Sequence, residues 1–274
     1  MKDVDVKKFV REGYAEVARQ GSSCCSCAPS CCGSTNITES VSKKIGYSDE
    51  ELEAVPDGAN LGLGCGNPVA MASLKEGETV LDLGSGAGFD CFLAAQRVGK
   101  EGRVIGVDMT PEMIDRAREN KHKGDYDNVE FRLGEIENLP VADNSADVII
   151  SNCVINLSPD KGRVFQEAYR VLKTGGRIMV SDIVLLKAIP DAIMNSIEMY
   201  VSCIAGASQK SDYLQDIEAA GFKDIKVVDE APFPVEYIIS DPTVHAIVNN
   251  LEISPELARD IANSIVSVKV TAAK

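Results

Sequence analysis

The sequence predicts an α/β protein built on a doubly wound, parallel sheet. Three observations carry that expectation. From about residue 77, short apolar runs alternate with stretches of helical periodicity. The apolar runs lack the in–out alternation of a half-exposed strand, as expected where helices cover both faces of a sheet. The first run also meets its helix through a turn containing three glycines.

Taken in order, residues 1–20 read as an amphipathic helix, with Val6, Phe9, Val10 and Val17 on one side among charged residues. Residues 21–40, GSSCCSCAPSCCGSTNITES, are small and polar apart from cysteine, a composition that cannot bury a core and predicts a loop or arm. Ser48–Ala54 reads as a short helix, with Ser48 as N-cap and Glu51 completing a capping box. The glycine-rich loop GANLGLGCGNP follows.

Strands are expected at Thr79–Leu83, Arg103–Asp108, Val129–Leu133, Ala146–Ser151 and Arg177–Asp182. Helices are expected at Phe89–Val98, Pro111–Lys123 and Lys161–Leu172, the second with proline in its first turn. Beyond residue 187 the pattern changes. Helices are expected at Asp191–Ile204 and Ser211–Ala220, with a short strand at Asp224–Val228. The last thirty residues read as helical packing elements. The implied organisation is an N-terminal helical and Cys-rich segment (1–73), a ligand-binding core (74–186) and a C-terminal region (187–274) that completes the fold.

Composition limits the function. The 274 residues carry 28 Lys and Arg against 42 Asp and Glu, a formal charge of −14. Such a surface repels phosphate backbones and anionic membranes, which argues against nucleic-acid and membrane partners. No run approaches the ~20 apolar residues that span a bilayer, and no apolar run follows the N-terminus as in a secretory signal. A cytoplasmic location is expected. Histidine is confined to His122 and His245, and Trp is absent, so imidazole-based metal catalysis has little support.

The loop Asp82-Leu83-Gly84-Ser85-Gly86-Ala87-Gly88 sits at a strand-to-helix junction, where glycines let a ligand approach the backbone. A dinucleotide fingerprint needs its third glycine three positions after the second, where this chain has Phe89. The carboxylate of Asp82 opposes a pyrophosphate and suits a cation. That favours S-adenosylmethionine, with its sulfonium and ammonium, over NAD. Asp108, closing the second strand, stands where ribose hydroxyls are gripped, or it caps the next helix. These residues resemble class I S-adenosylmethionine-dependent methyltransferases, which have a Rossmann-like sheet. The resemblance implies adenine packing by Met109, contacts from Gly134, Glu135 and Ile136, and a cofactor set of Asp82, Gly84, Ser85, Gly86, Gly88, Asp108, Met109, Glu135, Ile136 and Asn152.

Nine cysteines are the anomaly: Cys24, Cys25, Cys27, Cys31, Cys32, Cys65, Cys91, Cys153 and Cys203. In a reducing compartment such thiols bind a soft centre or do redox work. Cys153 lies just past the carboxyl end of a strand, the reactive edge of an open α/β sheet. Cys65 lies between glycines, where an accessible thiol is expected, and Cys203 ends a helix. Cys91, inside the helix after the glycine turn, reads as packing. Cys24-x-x-Cys27 has the spacing of a zinc pair, but no second pair or histidine follows it.

The segments LGLGCGNP, VLDLGSGAGFDCFLA, SNCVINLSPDK and QEAYRVLKTGG, with the cysteine before IAGA, resemble arsenite methyltransferases over most of residues 60–210. Cys153 and Cys203 stand 50 positions apart, as the family's two principal arsenic-binding cysteines do. The resemblance implies that both ligate As(III). It also implies that Cys65 and one N-terminal cysteine supply a third thiolate and a disulfide partner, Cys31 or Cys32 having the closest spacing. The substrates implied are arsenite and methylarsenite, and the reductant a thiol, thioredoxin or glutathione. A methyltransferase for a quinone or sterol-like acceptor leaves the cysteines without a role. A metalloid-binding protein without catalysis leaves the acidic glycine loop without one.

Overall fold

The computed structural model describes residues 3–20, 34–189, 206–232, 261 and 263–274. Seven strands form one sheet in the order β3-β2-β1-β4-β5-β7-β6. They are β1 (Thr79–Leu83), β2 (Arg103–Asp108), β3 (Val129–Leu133), β4 (Ala146–Asn152), β5 (Leu172–Leu185), β6 (Lys223–Pro232) and β7 (Ile265–Ala273). The pairs from β3 through β5 are parallel, while β7 runs antiparallel to both β5 and β6.

The helices are α1 (Asp3–Gln20), α2 (Ser34–Lys44), α3 (Asp49–Glu53), α4 (Pro68–Met71), α5 (Phe89–Val98), α6 (Pro111–Lys123), α7 (Lys161–Val171) and α8 (Lys210–Ala219). Successive strand residues point to opposite faces, and here each face has its own core. Val80, Val104, Val148 and Ile150 pack with Phe92 and Ala94 of α5 and Ile114 and Ala117 of α6. Leu81, Leu83, Ile105, Val107 and Ile149 pack with Val164 and Phe165 of α7 and Tyr213 and Ile217 of α8. Double coverage explains why the strands read as unbroken apolar runs.

The central strands and helices fall where the sequence predicts, and Ser48 forms the expected capping box with Glu51. Four expectations need correction. The end of the chain is β7, a strand whose Val266, Val268, Val270 and Ala272 face the core while Lys269 and Thr271 do not. Residues 34–44 are helical, so the expected arm ends earlier. Phe9 is 43% exposed although its spacing puts it on the same helix face as the buried Val6 and Val10, because the seating of α1 on the body, and not periodicity, decides which edge of that face is covered. Strand β5 runs past both ends of Arg177–Asp182, because β7 pairs with it as far as Leu185 and Leu172 pairs with Ala146 of β4 at the other end. The expected helix at 191–204 lies outside the described residues.

Candidate active site

Strand β1 delivers Asp82 to the carboxyl edge of the sheet, and the chain turns through Gly84, Gly86 and Gly88 into α5. All three glycines have positive φ, of 68°, 52° and 97°. At Gly84 the reason is also steric, since a Cβ would lie 2.3 Å from Val154 Cγ2. At Gly86 a Cβ would meet nothing within 4 Å, because this residue faces a cavity. Gly84 and Ser85 donate their N–H groups to Val107 O, and Gly86 N–H donates to Asp108 Oδ2 at 3.0 Å. Asp108 Oδ1 accepts from Thr110 N–H at 2.8 Å, so Asp108 braces both the turn and the residue that leads into α6, whose N-cap is Thr110 itself. The Ser85 hydroxyl is buried and has no hydrogen-bond partner among the described residues.

The cavity encloses about 1070 Å³ of space, its open mouth included. Asp82, Gly84–Ala87, Asp108 and Met109 line one side. Ile136, Asn152 and Cys153 contribute from later strand ends, and Lys7, Val10 and Tyr14 of α1 close over it. Helix α1 is anchored there by ion pairs from Lys7 to Glu135 and Glu137, at 2.8 and 3.1 Å.

Two buried carboxyls, Asp82 and Asp90, and the half-buried Asp108 give the site its electrostatic character. Burial pushes Asp82 well above the usual carboxylate range, and the negative charges of Asp90 and Asp108 add to the rise. Burial raises Asp90 to about 6, against the opposing effect of its hydrogen bonds from Tyr47 and Asn152. Burial raises Asp108 as well, opposed by its backbone donors. A cation entering the cavity would relieve this mutual repulsion.

Two sulfurs meet at the edge of the cavity. Cys65 and Cys153 form a disulfide with Cα atoms 5.8 Å apart. Cys153 follows the last residue of β4 in the left-handed region, at φ 57°, and its N–H donates to Ser181 O at 2.8 Å. Left-handed backbone is uncommon outside glycine and recurs at functional sites. The glycine-flanked loop brings Cys65 against β5 and β7, where its carbonyl accepts from Ser267 Oγ at 2.9 Å. Contrary to the expected accessibility, Cys65 is 5% exposed, because Asn152 and the two strands enclose it. Cys91 is buried as expected and also donates its thiol to Asp82 Oδ2 at 3.2 Å.

Most of the sequence-derived residues therefore converge on one cavity. Gly88 lies behind its wall as the N-cap of α5, and Glu135 turns outward to Lys7 and Arg11. Cys203, Cys31 and Cys32 lie outside the described residues, as do Cys24, Cys25 and Cys27. The sequence reading joined Cys65 to an N-terminal thiol, whereas the structure joins it to Cys153. Two residues of the cavity, Tyr47 and Asp90, escaped the sequence reading. The only signal for Asp90 was an acid in the first turn of the helix after the glycine turn.

The family model described as a methyltransferase domain matches residues 74–221. Arsenite methyltransferase of Halobacterium salinarum is 52% identical over 230 residues, covering 81% of this chain and 59% of the relative. The human arsenite methyltransferase is 35% identical over 217 residues, covering 76% and 55% respectively. The chain thus spans somewhat over half the length of these relatives. The crystal structure of an arsenic(III) S-adenosylmethionine methyltransferase from Chlamydomonas reinhardtii superposes with a TM-score of 0.64 at 32% identity, over 85% of this chain and 73% of that one. The matched domain, these identities and the paired thiols beside an acidic glycine turn agree: the chain belongs to the arsenite methyltransferase family of S-adenosylmethionine-dependent methyltransferases.

Proposed function

We propose that the chain transfers methyl groups from S-adenosylmethionine to thiolate-bound As(III), with arsenite and methylarsenite as substrates. The observation that carries this reading is the meeting of Cys65 and Cys153 at the edge of a cavity lined by the carboxyls of Asp82, Asp90 and Asp108. Soft, thiophilic As(III) prefers sulfur ligands to oxygen. A chain that brings two thiols together from 88 positions apart has the beginnings of such a site. Cys203, outside the described residues, is the proposed third ligand.

The cavity suits the donor. Its buried carboxyls attract a sulfonium and an ammonium, Gly86 leaves the backbone open to a ligand, and the Ser85 hydroxyl awaits a partner. Asp82, Gly84, Ser85, Gly86 and Asp108 are the proposed core of the cofactor site. Met109, Ile136 and Asn152 join them from the walls, and Gly88 and Glu135 act from behind. When bound, S-adenosylmethionine supplies an electrophilic methyl group.

The protein's part is to bind, orient and deprotonate. Free thiols titrate near ~8.5 and must lose their protons to ligate arsenic. Three sulfurs around As(III) leave its lone pair directed away from them. Aimed at the methyl carbon, that lone pair needs no general base. Holding the reactants in line supplies the acceleration, up to ~7–11 kcal/mol in well-oriented systems. Methylation formally oxidises arsenic to the pentavalent state. Two thiolates return two electrons to it and become a disulfide, the form in which Cys65 and Cys153 stand here. A thiol reductant, thioredoxin or glutathione, then reopens that bond.

The test is incubation of the full chain with arsenite, S-adenosylmethionine and a thiol reductant, followed by arsenic speciation. Methylated arsenicals that require all three additions support the reading. Unchanged arsenite under conditions where the protein binds the cofactor overturns it.

A further inference from the structure

We propose that Asn152, backed by Tyr47 and Asp90, is a positioning residue that clasps the Cys65 loop and holds its thiol against Cys153. The Cys65 N–H donates to Asn152 Oδ1 at 3.0 Å, and Asn152 Nδ2 donates to Gly66 O at 2.8 Å. The side-chain amide thus pairs with both backbone groups flanking the Cys65–Gly66 peptide. Its orientation is fixed, since an N–H can only donate and a carbonyl can only accept.

The clasp is itself braced. Asn152 Nδ2 reaches Tyr47 Oη at 2.9 Å and Asp90 Oδ2 at 3.1 Å, while the Tyr47 hydroxyl donates to Asp90 Oδ1 at 2.7 Å. Tyr47 comes from the segment before α3, Asp90 from the first turn of α5, and Asn152 from the end of β4. Three elements therefore converge to hold one amide.

The neighbouring glycines record how close the contact is. A Cβ on Gly64 would lie 2.6 Å from Asn152 Nδ2, and one on Gly66 would lie 2.1 Å from Ser181 Oγ. Both substitutions would force the Cys65 loop off its seat. Asn152 also precedes Cys153 in the chain, so one rigid strand end sets both sulfurs: Cys153 through a peptide bond, Cys65 through the amide. Asn152 and Asp90 line the same cavity as Cys153, so the clasp adjoins the donor pocket as well as the thiols.

The test is the equilibrium between the two thiols plus oxidised dithiothreitol and the Cys65–Cys153 disulfide plus reduced dithiothreitol. It is read on the full chain by differential alkylation and peptide mass spectrometry. Asn152→Ala is expected to shift this equilibrium toward the open thiols at least tenfold, about 30 mV for a two-electron couple. Gly64→Ala is expected to do the same, and Tyr47→Phe to shift it about threefold. Asn152→Asp keeps the acceptor for the Cys65 N–H but sets a carboxylate oxygen against Gly66 O and Asp90 Oδ2, and should shift it at least as far as Asn152→Ala. Equilibria within twofold of the unsubstituted chain in folded Asn152→Ala and Gly64→Ala overturn the proposal. If those variants do not fold, Tyr47→Phe decides, and an unchanged equilibrium there overturns it. The inference rests on Cys65 and Cys153 being working thiols. Because its readout involves neither arsenic nor methyl transfer, it can fail or succeed apart from the proposed reaction.

Discussion

Cys65 and Cys153 are bonded to each other across 88 positions of sequence, one on a glycine-flanked loop and the other just past the end of β4. The loop and the strand end have little in common locally. They meet because Asn152 takes hold of the Cys65 backbone from the strand side, while Ser267 of β7 holds the Cys65 carbonyl from the other. The final strand of the chain thus helps to seat a cysteine two hundred residues earlier.

Replacing either sulfur should separate methyl transfer from cofactor binding. Cys153→Ser and Cys65→Ser are each expected to lower arsenite methylation by a factor on the order of a hundred, the scale of a misplaced reactant. S-adenosylhomocysteine should still bind within about threefold by calorimetry. Turnover near that of the unsubstituted chain in both variants would contradict the assignment.

The glycines of the cofactor turn should fail in different ways. Gly84→Ala forces a Cβ against Val154 in left-handed backbone and is expected to cost ~2–4 kcal/mol of stability. Gly86→Ala meets no protein atom within 4 Å, so it should cost only ~1–2 kcal/mol from its positive φ. Its Cβ nevertheless points into the cavity lining, and cofactor affinity should fall about tenfold, ~1.4 kcal/mol. Urea denaturation and calorimetry on both variants measure the two effects. Equal stability losses with unchanged affinity would contradict this division.

Asp182 offers a test by pH. It is fully buried on β5, accepts a hydrogen bond from the Tyr213 hydroxyl at 3.0 Å, and is raised by burial to about 7. Its other oxygen has no hydrogen-bond partner among the described residues. Between the unfolded value near ~3.9 and about 7, the folded chain keeps a proton that the unfolded chain has lost. This group's contribution to stability is therefore greatest below pH ~4, falls as pH rises to about 7, and is level above it. Asp182→Asn is expected to gain stability relative to the unsubstituted chain between pH 5 and pH 8, by an amount on the order of a few kcal/mol. A stability difference that stays constant across that range would contradict the raised value.

What the sequence disclosed follows from how locally each feature is encoded. Strands buried on both faces, such as Val104–Val107, have no competing reading, and the turn from Asp82 to Gly88 carries its chemistry within seven residues. Strand β7 was harder to read. Its Val266, Val268 and Val270 alternate as a strand should, but the pattern becomes decisive only once β5 and β6 are available as partners. The brace from Tyr47 through Asp90 to Asn152 was invisible for a related reason. Its members are 43 to 105 residues apart, and no one of them has an unusual local setting. The exposure of Phe9 depends on how α1 lies over the cavity, which periodicity alone does not fix.

The central claim is that Cys65 and Cys153 grip one arsenic atom beside the donor pocket. Anomalous scattering at the arsenic edge, from crystals of the reduced chain grown with arsenite and S-adenosylhomocysteine, locates that atom directly. The expected result is an arsenic peak within bonding distance of both Sγ atoms at the edge of the cavity lined by Asp82, Asp90 and Asp108. A single peak held only by cysteines of the 24–32 segment, with Cys65 and Cys153 unliganded, would contradict it.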